Sequence, residues 1–266
     1  MFEAAKTSGL TKEQKAFLKR HTSGTWTYSP ATGLVDVDGD FSFRVWDRRQ
    51  KAQTLKGIKF GKVSGNFYCQ DNQLTTLEGA PREVGGNFDC SSNNLTTPEG
   101  APQKVGGYFR CLDNQLTTLE GAPQKVGGYF WCDSNQLTTL EGAPREVGGD
   151  FNCDKNQLTS LEGAPQKVGG DFSCENNQLT TLERAPREVG GGFYCGNNPV
   201  SRKTLKNIFS RMEKGESYLK AVGSLWTEIP VEDQTLLYRP EFEWVGTDER
   251  RKLDALRAYQ GFKGMI

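Results

Sequence analysis

Seven cysteines and one histidine define most of the chemistry open to this 266-residue chain. Thiols can pair, bind zinc or attack a substrate, and each use demands its own geometry. Here they recur at one fixed interval of 21 residues: Cys69, Cys90, Cys111, Cys132, Cys153, Cys174 and Cys195. There is no CxxC pair, and evenly spaced ligands do not converge on a zinc ion from several directions. Pairing neighbours would leave one thiol over. His21 is the only histidine, which removes His-based triads and most general-base schemes. Two carboxylates one interval apart, Asp150 and Asp171, are near enough to act as a coupled pair, but an open and solvated face offers them little desolvation. Asp36, Asp38, Asp40 and Asp47 invite a calcium loop, yet Phe41 stands where its glycine is required. No enzymatic activity and no cofactor or metal is expected.

The interval that spaces the cysteines is a repeat of the whole chain. Units start at Val63, Val84, Val105, Val126, Val147, Val168 and Val189 and share V-G-G-x-F-x-C-x-x-N-x-L-T-T-L-E-G-A-P-x-x. Phe and Cys alternate with variable residues, the period of a half-buried strand, so both face inward. Successive units then stack their cysteines into a buried, reduced ladder, in which Cys acts as a small hydrophobe. Seven such thiols suit a reducing compartment. The Asn three residues after each Cys (Asn72, Asn93, Asn114, Asn135, Asn156, Asn177, Asn198) sits where the strand must turn, and its amide can satisfy the backbone of the bend. No unit buries its own face, so stability must come from stacking. Pro98 in a Leu place and Arg184 in a Gly place interrupt the pattern, and either is expected to loosen the back of a coil.

The F-x-C-x-x-N-x-L stretch resembles the L-x-L-x-x-N-x-L core of leucine-rich repeats, with Phe and Cys in place of two leucines. More narrowly, "NQLTTLEGAPREVGGNFDC" is similar to repeat proteins of bacteriophages and bacteria. The resemblance implies an α+β repeat protein, a leucine-rich-repeat-like solenoid with a parallel sheet and helical caps at both ends. It implies no particular activity.

The expected organisation follows. Residues 1–34 form an N-terminal cap with a helix at about 11–20, opened by the capping-box spacing of Thr11 and Gln14. Residues 35–62 form a degenerate zeroth repeat, with Phe43 in the Cys place and a longer return. Residues 63–198 hold seven repeats, the last partial. Residues 199–266 lose the pattern and show helix stripes at Leu205, Ile208, Phe209, Met212 and at Tyr218, Leu219, Val222, Leu225, Trp226. Further helices are expected over 232–238 and 248–259, completing a C-terminal helical cap. Bacterial effector ubiquitin ligases also join leucine-rich repeats to a helical domain, but no cysteine follows Cys195 to serve that chemistry.

Function is then expected where the units differ. Alternation puts the residues flanking Phe and Cys on the outer sheet face. Units three and four place Tyr108, Arg110, Leu112, Tyr129 and Trp131 side by side, with Tyr68 in unit one. Asp133, Asp150, Asp154, Asp171 and Glu175 border them. An aromatic cluster with an arginine and a charged rim has the make-up of a protein-binding hot spot. Cross-strand aromatic pairs can also simply stabilise a sheet. The varying pairs before each Val, such as Arg82-Glu83 and Gln103-Lys104, read as solvated coil edges.

Lys and Arg total 33, as do Asp and Glu, so the balanced charge gives no footprint for nucleic acid or an anionic membrane. The first residues lack the apolar run of a signal peptide, and no stretch is apolar enough to span a bilayer. The expectation is a cytoplasmic module that binds a protein partner, in a bacterial host if phage-encoded, and that modulates or counters a host defence factor. The alternative is a self-associating, virion-associated scaffold, and a homo-oligomer is possible on either reading.

Overall fold

The computed structural model describes residues 9–43, 52–180, 182 and 184–199. Thr11 caps helix α1 (Lys12–His21) through a reciprocal box, its hydroxyl accepting from the Gln14 N–H while the Gln14 side chain accepts from the Thr11 N–H. The helix leads directly into β1 (Thr22–Ser29), which pairs antiparallel with β2 (Leu34–Ser42).

β2 is the strand from which the solenoid grows. Its first half pairs with β3 (Phe60–Val63) and its second half with β4 (Phe67–Tyr68), both in parallel. Each later coil repeats that division with two short strands, from β5 (Glu83–Val84) and β6 (Phe88–Asp89) to β15 (Glu188–Val189) and β16 (Phe193–Tyr194). From β3 onward the odd-numbered strands form one ladder and the even-numbered strands a second, joined through β2 into one sheet. From β4 onward the 21-residue register holds, with Phe67 opposite Phe88 and Phe88 opposite Phe109.

The Gly-Gly pair divides each strand in two. Gly85 and Gly86 both donate to the preceding coil, at Val63 and Gly65, whereas Phe88 and Cys90 donate to the following one, at Tyr108 and Arg110. Consecutive N–H groups pointing the same way make a bulge, which bends the chain and re-aims the ladder. Coils approach so closely here that a Cβ on Gly127 would lie 2.1 Å from the Gly106 carbonyl oxygen. No residue with a side chain fits.

Inside, the repeat makes columns. The rings of Phe41, Phe67, Phe88, Phe109, Phe130, Phe151, Phe172 and Phe193 stack in sequence with centroids 5.0 to 5.5 Å apart. All seven cysteines are buried and free beside them. Several thiols donate to the next coil's carbonyl, as Cys132 Sγ does to Asn152 at 3.4 Å. Each Asn joins two coils. Asn135 Nδ2 reaches the carbonyls of Cys111, Cys132 and Asp133, while its Oδ1 accepts from the Leu116 N–H. At the return, the second threonine hydroxyl accepts a backbone N–H two residues on, as Thr76 does from Glu78. Only the first threonine of each pair is left facing solvent as the more exposed residue.

The coil-zero end is closed by α1. Leu18 is fully buried, Phe17 packs edge-on against Phe43 at 4.7 Å, and the His21 Nδ1–H donates to the Ser42 carbonyl at 2.7 Å. The aspartates of β2 bind the next coil. Asp36 accepts from the Lys62 N–H, Asp38 from the Ser64 hydroxyl and Asp40 from the Asn66 N–H.

The expected α+β class requires correction. α1 is the only helix among the described residues, and the returns between strands are turns, so the molecule is a parallel β-solenoid of about seven coils. Glycine at each return adopts positive φ, +88° at Gly79, which lets the chain reverse within a few residues and leaves no length for a helix. The two interruptions of the pattern stay within this scheme. Pro98 still receives the Ala101 N–H, as Leu77 receives that of Ala80. Arg184 keeps the glycine conformation at φ +71° and pairs with Glu162 at 3.5 Å. The expected C-terminal helical cap, the return segment with Asp47 and the helix stripes beyond 199 lie outside the described residues.

Candidate functional site

One structural device runs the length of the outer face. The residue before each Phe has an N–H that points back to the preceding coil, and an Asn or Asp at the equivalent place there accepts it. Asp40 Oδ1 accepts from Asn66, Asn66 Oδ1 from Asn87, and Asn87 Oδ1 from Tyr108, at 2.7, 2.9 and 3.0 Å. The ladder resumes with Asp150 accepting from Asp171 and Asp171 from Gly192. Between these runs stand Tyr108 and Tyr129, whose rings cannot reach the following N–H. Among the described residues the N–H groups of Tyr129 and Asp150 have no side-chain acceptor.

The two tyrosines instead build a cluster. Their rings stack at 4.8 Å with planes 8° apart, and Tyr129 stacks on Trp131 at 4.6 Å. Arg110 stands opposite Trp131 in the parallel ladder and lies against all three rings, its guanidinium carbon 4.6 Å from the Tyr108 centroid, 5.1 Å from Tyr129 and 4.4 Å from Trp131. One guanidinium nitrogen donates to the Tyr129 hydroxyl at 2.8 Å, while the buried Nε has no hydrogen-bond partner. No carboxylate forms an ion pair with it among the described residues. The Tyr108 hydroxyl reaches Tyr68 at 3.5 Å across the intervening coil, and Asp89 lies between them, only 6% exposed. Burial, and then the Tyr68 hydroxyl, raise the Tyr108 pKa. This is a rigid, partly exposed aromatic–cation surface.

Beside it, the residues after Cys in coils four to six form a carboxylate column. Asp133, Asp154 and Glu175 all have pKa values above the ordinary range, chiefly because burial disfavours their charge. Asp154 adds to the repulsion at both neighbours, and Asp113 to that at Asp133. Asp154 Oδ1 accepts from the Ser173 hydroxyl at 2.6 Å and the Glu175 N–H at 2.7 Å, and Asp133 accepts from the Ser134 hydroxyl. Glu175 Oε1 is buried with no partner.

The structure therefore gathers Tyr68, Tyr108, Arg110, Tyr129 and Trp131. Leu112 is half-buried in the column after Cys, in the coil preceding Asp133. Asp150 and Asp171 keep the predicted face, but each has one oxygen committed to the backbone of the next coil. Alternation alone overstates the exposure of some outer positions: Asp89 and Ser91 are buried, because a short side chain between long cross-strand neighbours is covered by them.

A second feature lies in what the sequence suggests are solvated coil edges, the column two residues before the first glycine of each pair. Lys62, Glu83 and Lys104 alternate in sign, as do Glu146, Lys167 and Glu188, but Lys104 stands directly opposite Lys125. The broken alternation in the repeat was the available signal.

Among the described residues no three His, Cys, Asp or Glu side chains are placed to hold a metal ion, and no helix is long and apolar enough to cross a membrane. The chain matches no protein-family model, no curated protein and no solved structure.

Proposed function

We propose that this chain is a non-catalytic binding module that grips a protein partner on the outer sheet face of coils three and four. The observation that carries this reading is the interrupted ladder. An Asn or Asp before Phe satisfies the next coil's N–H, and a framework selected for stability alone would keep one there. Tyr108 and Tyr129 forgo two such bonds, each worth about 1 kcal/mol, and place a stacked Tyr–Tyr–Trp–Arg surface at the gap. Tyr, Trp and Arg are the residues on which interface energy concentrates. Asp133, Asp150, Asp154 and Asp171 form its charged rim. The sequence resemblance to phage and bacterial repeat proteins supports a bacterial cytoplasmic setting and a host protein, such as a defence factor, as the partner.

The test compares wild-type chain with Trp131→Ala and Arg110→Ala in affinity purification from bacterial lysate. The recovered protein is then purified and its binding measured directly. Loss of binding in both variants is expected, and equal binding by all three proteins would refute the assignment.

A second reading, self-association, has one observation in its favour. β1 has a sheet partner on one side only among the described residues, and its sequence TSGTWTYS carries no charge and no proline to discourage edge pairing. Mass in solution tests it, since a monomer at high concentration rules it out.

A further inference from the structure

The bulge that orders the framework also carves a groove. Gly106, Gly127, Gly148 and Gly169 are solvent-exposed along the outer face, and with no side chains above them they line a groove of about 730 Å³. Lys104, Lys125, Arg145 and Lys167 border it against one carboxylate, Glu146. Lys167 is paired with Glu188 at 3.2 Å, whereas Lys104, Lys125 and Arg145 make no ion pair among the described residues. Like charges directly opposite each other in a sheet are destabilising, so the Lys104–Lys125 pair has no framework benefit. It occurs in the same two coils as the Tyr108–Tyr129 gap. A single residue separates Gly106 from Tyr108 and Gly127 from Tyr129, which makes groove and cluster one continuous surface.

Resting on the proposal of a protein-binding face, we infer that its ligand is an acidic protein segment. The segment lies along the glycine floor with its carboxylates at Lys104, Lys125 and Arg145, and seats an apolar side chain on the Tyr129–Trp131 stack beside Arg110. Four coils of groove span about 14 Å at one coil per 4.8 Å, which accommodates about four residues of extended chain. The flanking cations supply attraction and register, and the aromatic cluster supplies contact area.

Single-stranded nucleic acid combines anionic groups with stacking in a similar way, but two observations favour the peptide. Tyr129 stacks with both Tyr108 and Trp131, and Arg110 lies against all three rings, so much of the aromatic surface is already engaged and less of it is open to a base. The adjoining carboxylates Asp133, Asp154 and Glu175 also repel a continuous phosphate chain.

The experiment uses three probes of about eight units: an acidic peptide with one central Tyr, its Gln/Asn isostere, and oligothymidylate. Binding is measured by calorimetry to wild type, to Lys104→Gln/Lys125→Gln and to Trp131→Ala. Gln already occurs beside these exposed positions, at Gln103 and Gln124, and thermal melts confirm folding. The acidic peptide is expected to bind at least about tenfold tighter than its isostere, and the double lysine variant to remove most of that difference. Trp131→Ala is expected to weaken both peptides. Equal binding of the two peptides, or no effect of the lysine variant, overturns the acidic-segment inference, and a Trp131 effect would then leave the binding face standing. Loss with the lysine variant but none with Trp131→Ala keeps the groove and removes the aromatic face. Preferred binding of oligothymidylate, or no binding of the acidic peptide up to millimolar concentration, also overturns the inference.

Discussion

Trp131 stands directly opposite Arg110 in the parallel ladder, with the guanidinium carbon 4.4 Å from the indole centroid. Neither residue contributes to the buried columns that stack the coils. The pair is held from the side by Tyr129, which stacks on the indole and accepts a hydrogen bond from the guanidinium. An arginine restrained this way is ordered before a ligand arrives, and binding loses less side-chain freedom than it would from a free arginine.

The tyrosine gap makes a prediction in which stability and binding part company. Tyr129→Asn restores an acceptor for the Asp150 N–H, a gain of about 1 kcal/mol, and loses ring stacking worth about 0.5–1.5 kcal/mol. Thermal or denaturant unfolding should therefore change by no more than about 1 kcal/mol, while partner binding is lost. A collapse of stability with this substitution would show that the tyrosine is framework.

The Asn ladder should behave in the opposite way. Asn135→Ala leaves the buried N–H of Leu116 without its acceptor and removes one of the two amide donors from each of the Cys111 and Cys132 carbonyls, which keep Asn114 and Asn156. An unsatisfied buried group costs about 1–3 kcal/mol, so a loss in that range is expected in urea unfolding. Asn135 is 8% exposed, so water cannot readily replace it.

The carboxylate column sets a pH dependence. Asp133, Asp154 and Glu175 have folded pKa values above the ordinary range, so the folded state holds the extra protons between the unfolded and folded values. The stability they contribute is complete below the unfolded carboxylate pKa and is lost as pH rises through the raised values. Asp154→Asn keeps an acceptor for Ser173 and for the Glu175 N–H and removes the charge. It should raise the melting temperature at neutral pH by a few degrees at most, on the order of 1 kcal/mol or less given partial exposure. The gain should disappear near pH 4, and differential scanning calorimetry across that range reads it.

The thiols should be silent in the native protein. Burial raises every cysteine pKa, that of Cys195 to about 12, and only a thiolate reacts readily. Iodoacetamide at pH 8 should label none of the seven in native protein and all seven in denaturant, as counted by mass spectrometry. Labelling of a single native thiol would identify a coil that opens locally.

Much of this molecule was legible in its sequence because every coil repeats the same local problem. The 21-residue period, the inward Phe and Cys columns and the turn-binding Asn follow from a side-chain alternation of two and from the need to satisfy buried backbone groups. One coil read correctly supplies the register of all the others. The period also named the positions free to vary, among them Tyr108, Arg110, Tyr129 and Trp131. Other features depend on what adjacent coils do to each other, and a list of residue types carries no distances between them. Tertiary structure alone showed that the Gly-Gly pair reverses the direction of the ladder, because only close stacking makes a Cβ there collide with the coil below. It alone revealed that Asp150 and Asp171 bind backbone across a coil boundary, that Asp89 is buried between Tyr68 and Arg110, and that Arg110 is packed among three rings. The tightness of each return also depends on neighbouring coils: a glycine at positive φ closes it, as Gly79 does, against the backbone of the coil beneath.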